Sequence, residues 1–145
     1  MEKKKTIELM NVLKETNSTK DLKDYLSSMD LHETGSMTFS EYITSLPEYQ
    51  ERKPSEVIRE SNIERTYGYQ ILNGRKMPGR DKAIMICLAL HLNLDMTQKA
   101  LECAKLPVLY PRDRRDAIII FAIEHGSSVD DTCDLLDEFG EKILE

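Results

Sequence analysis

Residues 54 to 80 read PSEVIRESNIERTYGYQILNGRKMPGR, and the fold of the chain turns on how this stretch divides. Pro54 suits a first helical position because it has no N–H to leave unpaired, and Ser55 and Glu56 complement the positive end of a helix dipole. The pattern predicts one helix over 54 to 61 and a second over 63 to 73, stopped at Asn73-Gly74. On a 100° wheel Ile63, Tyr67, Gly68 and Ile71 gather on one side of the second helix, while Arg65, Thr66, Tyr69, Gln70 and Asn73 gather on the other. One side packs; the opposite one is long, polar and able to hydrogen-bond. Gly68 in a helix interior costs roughly 1 kcal/mol relative to Ala, which a close helix crossing would offset.

Two short helices, a tight join and a basic loop have the layout of a helix-turn-helix. The order of parts over roughly residues 38 to 106 resembles the bacterial Cro/repressor-type (XRE) family: scanning helix, turn, recognition helix, basic loop and a following apolar helix. Val57 and Ile58 stand where the scanning helix packs, Ile63 at the hydrophobe of the turn, and Ile71 at the core position of the recognition helix. Asn73-Gly74-Arg75-Lys76-Met77-Pro78 stands at the basic loop. The chain departs from the family at Pro54, commonly Gln, and at Gly68, commonly a bulky core residue. The resemblance implies an all-α, lambda-repressor-like domain and a sequence-specific transcriptional regulator that reads the major groove of double-stranded DNA with helix 63 to 73. Arg65, Thr66, Tyr69, Gln70 and Asn73 would then face base edges, and Arg75 and Lys76 would hold phosphates.

Outward from this centre only helices are expected. Amphipathic segments at 5 to 16 and 19 to 29 make an N-terminal helical extension over residues 1 to 37, with Lys3-Lys4-Lys5 as a basic, solvated arm. The DNA-binding domain, 38 to 106, begins with a helix over 39 to 50 that breaks near Pro47. After the recognition helix come 80 to 92, apolar on nearly every face and therefore central, and 95 to 105, with Asp95 as its N-cap. Residues 107 to 145 form a C-terminal helical hairpin, 112 to 125 ended by Gly126 and 128 to 143 opened by Ser128 and Asp130. In the stretch Tyr110 to Arg115, Asp113 and Asp116 are local ion partners for the arginines.

A chain of 145 residues with 40% apolar content can bury one core with a small appended part. No apolar run approaches the roughly 20 residues of a membrane span and the N-terminus turns polar too soon for a secretory signal, so a cytoplasmic protein without membrane contact is expected. Cys87, Cys103 and Cys133 suit reduced thiols. The net charge of −6 is segregated: residues 52 to 80 carry seven bases and three acids, leaving −10 on the remainder. A local basic patch can hold DNA on an acidic body, because screening limits distant repulsion to about 10 Å at moderate salt. The run Ala117 to Ile123 is too apolar to stand uncovered; it either completes the core of the same chain or forms a homodimer, which a two-fold DNA site would suit. The helix after it is acidic enough to hold a protein partner. The alternative to DNA reading is thus a helical protein-interaction adaptor that keeps the helix-turn-helix fold.

Asp30 to Glu41 has the length of an EF-hand loop, with Gly35 at its sixth position, but His32 and Thr34 stand where oxygen ligands belong, and calcium binding is not expected. Cys87 and His91 share a helix face without the four ligands of structural zinc. No phosphate-binding glycine loop, nucleophile motif or paired-carboxylate signature is present, so neither an enzyme nor a cofactor is expected.

Overall fold

The structure, a computed structural model, describes residues 37–145, and among these every regular element is a helix. The expected segments 5 to 16 and 19 to 29, the lysine arm and residues 30 to 36 of the EF-hand-like loop lie outside the described residues. Thr38 caps the first helix, α1 (Phe39–Ser45), by accepting from the Glu41 amide at 3.1 Å. Leu46 breaks it and Pro47 starts α2 (Pro47–Gln50), so the interruption expected near Pro47 is a division into two helices. α3 (Pro54–Ser61) spans the expected residues, and Asn62 ends it in the left-handed region, φ 60.

The next helix begins later than the apolar pattern suggested. α4 (Arg65–Leu72) starts after Glu64, whose carboxylate accepts from the amides of Thr66 at 3.0 Å and Tyr67 at 2.9 Å, leaving Ile63 in the turn as a buried plug. Periodicity assigned Ile63 to the helix; the carboxylate cap sets the actual boundary. α5 (Arg80–Ala89) is the central element, with every residue from Ala83 to Ala89 buried, and it ends three residues before the expected Leu92 because His91 turns left-handed, φ 55.

α6 (Leu94–Cys103) is capped by Asn93, not by Asp95. The Asn93 Oδ1 accepts from the Met96 amide at 2.8 Å, which places Asp95 inside the first turn. α7 (Arg114–Glu124) is capped by Asp113 and closed by Gly126 at φ 64. α8 (Val129–Glu138) is capped by Ser128 and ends well short of residue 143, where Gly140 takes φ 74. The tail then folds back and buries Leu144.

Residues 37–145 pack as one unit. Its core joins Phe39 and Ile43 of α1, Val57 of α3, Ile71 of α4, most of α5, Leu101 of α6, Ile119 of α7 and Leu136 of α8, so the hairpin and the preceding helices share one apolar interior. The seam between them is also polar. Arg80 donates to Asp116 through two bonds of 2.8 Å and to the carbonyls of Pro107 and Val108, each at 2.9 Å. Its neighbour Asp81 receives two bonds from Arg115, the neighbour of Asp116, at 3.0 and 2.9 Å. Two adjacent residues at the start of α5 thus pair crosswise with two adjacent residues of α7. The arginines expected to pair within Tyr110 to Arg115 find their acids elsewhere: Arg115 takes Asp81, while Arg114 meets Glu141 at 3.9 Å and the Phe139 carbonyl at 2.6 Å. Asp113 caps α7 and Asp116 is taken by Arg80, so neither is left for a local pair.

Candidate nucleic-acid interface

The packing of α3 on α4 explains why a glycine stands in a helix. A Cβ built on Gly68 would lie 2.7 Å from Ile58 Cγ2, closer than a side chain tolerates, and 3.0 Å from its Cγ1. Ile58 and Gly68 are both buried, so the isoleucine fills the space that a side chain at 68 would need. The close crossing expected from Gly68 is therefore present, and Ile58 is what it meets.

The opposite face of α4 meets solvent unevenly. Arg65, Thr66 and Asn73 are exposed, while Tyr69 and Gln70 are half-buried and Tyr69 leans on the core. The Arg65 guanidinium sits 5.9 Å from the centre of the Tyr69 ring, within reach of a cation–π attraction. Asn73 accepts from the Arg75 amide through its side-chain oxygen at 2.9 Å, which shapes the loop. The Lys76 amide donates to the Gln70 carbonyl at 3.0 Å and Ser40 Oγ to the Leu72 carbonyl at 2.6 Å. These bonds fold the loop back over the last turn of α4. Arg75 and Lys76 are held there by backbone contacts, with both side chains exposed.

Not every base of this region is available. Arg52 donates to the Ala89 carbonyl at 2.7 Å and pairs with Glu60, and Arg80 belongs to the seam with α7. Both count towards the charge of residues 52 to 80, and both are structural. Lys53, Arg59, Arg65, Arg75 and Lys76 are exposed and, among the described residues, none is ion-paired. Against them stand Glu56 and Glu64 once Glu60 is set aside with Arg52, leaving a patch of about +3.

Arg59 is a further exposed base beside these residues, on α3 and so outside the wheel of α4. It lines a cleft of about 430 Å³ with Ser55, Ile58, Ile63 and Arg65, beside the turn between α3 and α4. Its spacing of four from Ser55 places both on the face of α3 turned from Val57 and Ser61, a signal available in the sequence. Glu64 has the opposite effect. Its carboxylate occupies the first amides of α4, and those two bonds hold its carboxyl below the usual carboxylate range.

Elsewhere the ionisable groups have structural explanations. Cys87 is fully buried and its thiol is pushed up to about 12 by loss of solvent, while His91 is exposed in the turn after α5. Among the described residues no group of three or more His, Cys, Asp or Glu is placed to hold one metal ion, and no helix is long and apolar enough to cross a membrane. Comparison with protein-family models, with curated proteins and with solved structures finds no match for this chain.

Proposed function

We propose that the chain is a sequence-specific DNA-binding regulator of helix-turn-helix type, with α3 as the scanning helix and α4 as the recognition helix. The observation that carries this reading is the set of exposed bases without acidic partners, Arg59, Arg65, Arg75 and Lys76, on α3, on α4 and in the loop after it, with Lys53 exposed before α3, while Arg52 and Arg80 are committed to the fold. Positive charge held on rigid helices and on a backbone-braced loop suits phosphate, and the exposed side chains of Arg65, Thr66 and Asn73 suit base edges. Tyr69 and Gln70 present only part of their surface, so their reach to a base is along the rim of the helix. Lambda-repressor-like architecture and membership of the XRE family belong to the same proposal.

The test is a salt series of binding measurements on duplexes selected from a random library. Arg75→Ala and Lys76→Ala should weaken binding to all sequences alike and flatten the salt slope by about one unit each, because each removes a phosphate contact and its counterion release. Gln70→Ala should instead cost about 1–3 kcal/mol on the selected duplex and little on random DNA. A wild type with no salt-sensitive affinity at low ionic strength would sink the reading. The protein-interaction adaptor would then take its place, and Glu64 favours it: its negative charge stands at the end of α4 that would approach phosphate.

A further inference from the structure

The hairpin of α7 and α8 leaves part of its apolar surface open. Ala117, Ile118 and Phe121 of α7, with Leu135 of α8 and Phe139 just beyond it, line a groove of about 330 Å³. Phe121 is 52% exposed and Phe139 50%. One exposed apolar residue is ordinary; two aromatic residues sharing one groove mark an interaction surface. The Phe121 ring is already braced, stacked on His125 with centroids 3.9 Å apart.

Charge decides what fits the groove. α8 contains five acids and no base. On a helical wheel Asp131, Glu138 and Asp134 follow Leu135 in turn around the surface, away from buried Thr132 and Leu136. All three are exposed and, among the described residues, none is ion-paired. Glu124 adds a further exposed acid on α7. The nearby bases are engaged, Arg114 with Glu141 and the Phe139 carbonyl, and Lys142 with Glu145 at 3.5 Å.

We propose that this groove receives an amphipathic helix of a partner protein, with apolar side chains entering between Phe121 and Phe139 and Lys or Arg residues facing Asp131, Asp134 and Glu138. Apolar anchors one turn apart are the usual currency of helix-in-groove recognition, and the acidic wall adds preference for a basic helix. A second copy of the chain is the other occupant that the apolar run of α7 suggests. A second copy would carry another acidic α8 to the interface, and the added like charge opposes association. A basic helix turns the same charges into attraction.

The probes are two labelled synthetic helices with identical leucine spacing, one with Lys and Arg at its polar positions and the other with Glu, titrated with the full chain by fluorescence anisotropy. The basic helix should bind with affinity that falls as salt rises, and the acidic helix at least about tenfold more weakly. Phe121→Ser with Phe139→Ser should weaken the basic helix by about tenfold or more, as loss of a buried aromatic anchor does, with the circular dichroism spectrum unchanged. Asp131→Lys with Asp134→Lys should reverse the preference while the phenylalanines remain. Equal binding of both helices, absence of binding, or binding indifferent to the two phenylalanines would overturn the proposal. So would a dimer of the free chain in sedimentation that Phe121→Ser dissociates, since the second copy would then be the occupant. DNA affinity should be the same in the phenylalanine variants as in the wild type, so this docking and the reading of DNA succeed or fail separately.

Discussion

Arginine does two opposite jobs on neighbouring parts of this molecule. At the seam between α5 and α7, Arg80 and Arg115 are half-buried, each bidentate to an aspartate and each also bonded to backbone carbonyls. Around α4, Arg59, Arg65 and Arg75 are exposed and without an acidic partner among the described residues. The difference lies in geometry. The planar fork of a guanidinium matches a carboxylate edge to edge, and once so matched and partly removed from water it contributes to the fold and not to recognition. An exposed guanidinium keeps its donors for another anion. Charge counted along the chain mixes the two kinds, and the excess of residues 52 to 80 shrinks when Arg52 and Arg80 are assigned to the fold.

The largest expected effect tests the seam. Asp116→Ala removes the partner of Arg80 and also the acceptor of the Tyr110 amide at 3.0 Å, and should destabilise by about 3 kcal/mol in urea unfolding, as loss of one member of a buried pair does. Burial alone would raise the Asp116 carboxyl, but the Arg80 hydrogen bonds, the Tyr110 amide and the charges of Arg80 and Arg115 outweigh it, so its folded value lies below the ordinary one. The stabilisation is therefore complete above the ordinary aspartate value of about 3.9 and is lost as pH falls through the lowered folded value. The gap between wild type and Asp116→Ala should close in that acid range. A gap that stays constant as the carboxylate is protonated would show that the seam is held by packing alone.

A middling effect is expected beneath the polar face of α4, at its crossing with α3. Gly68→Ala gains helix propensity of roughly 1 kcal/mol yet forces Ile58 to move from a 2.7 Å approach, and a net loss of about 1–2 kcal/mol should follow. Ile58→Ala should cost more by itself, but combined with Gly68→Ala the loss should fall short of the sum, because the new methyl fills part of the space vacated. Additive losses in chemical denaturation would mean that the two residues do not constrain each other.

The smallest effect is the sharpest test of the comparison. Arg75→Ala should change stability by no more than about 0.5 kcal/mol, since its side chain has no acidic partner to lose, and Arg65→Ala by no more than about 1 kcal/mol, through its cation–π contact with Tyr69. Thermal melts beside Arg80→Ala would show the contrast directly. Should Arg75→Ala destabilise as much as Arg80→Ala, the division into exposed and structural arginines fails.

The candidate site was partly legible before any coordinates. Hydrophobic periodicity separated the buried side of α4 from its polar side, and Arg65, Thr66 and Asn73 are exposed as that separation requires; Arg75 and Lys76, in the loop after α4, are exposed as well. Tyr69 and Gln70 are more covered than the wheel implies, because a wheel treats a helix as isolated, whereas the core reaches around to Tyr69. Arg59 was overlooked because α3 was read for its packing face alone.

What the sequence determined by itself is the series of helices and several of their ends. Pro47 and Pro54 begin helices, Ser128 caps one, and Gly126 turns left-handed after another, since prolines, caps and glycines act within a single turn and need no distant partner. The meeting of Gly68 with a neighbouring helix was also foreseeable, because a glycine in a helix interior has a local cost that only a close approach offsets. Tertiary structure alone decided which neighbour, Ile58, makes that approach and which acid each arginine takes. Arg80 and Arg115 find carboxylates 36 and 34 residues away, and Arg52 a carbonyl 37 residues away. Such choices depend on which surfaces the shared core brings together, and burial then strengthens the pairs that fit while exposed charges remain screened by water.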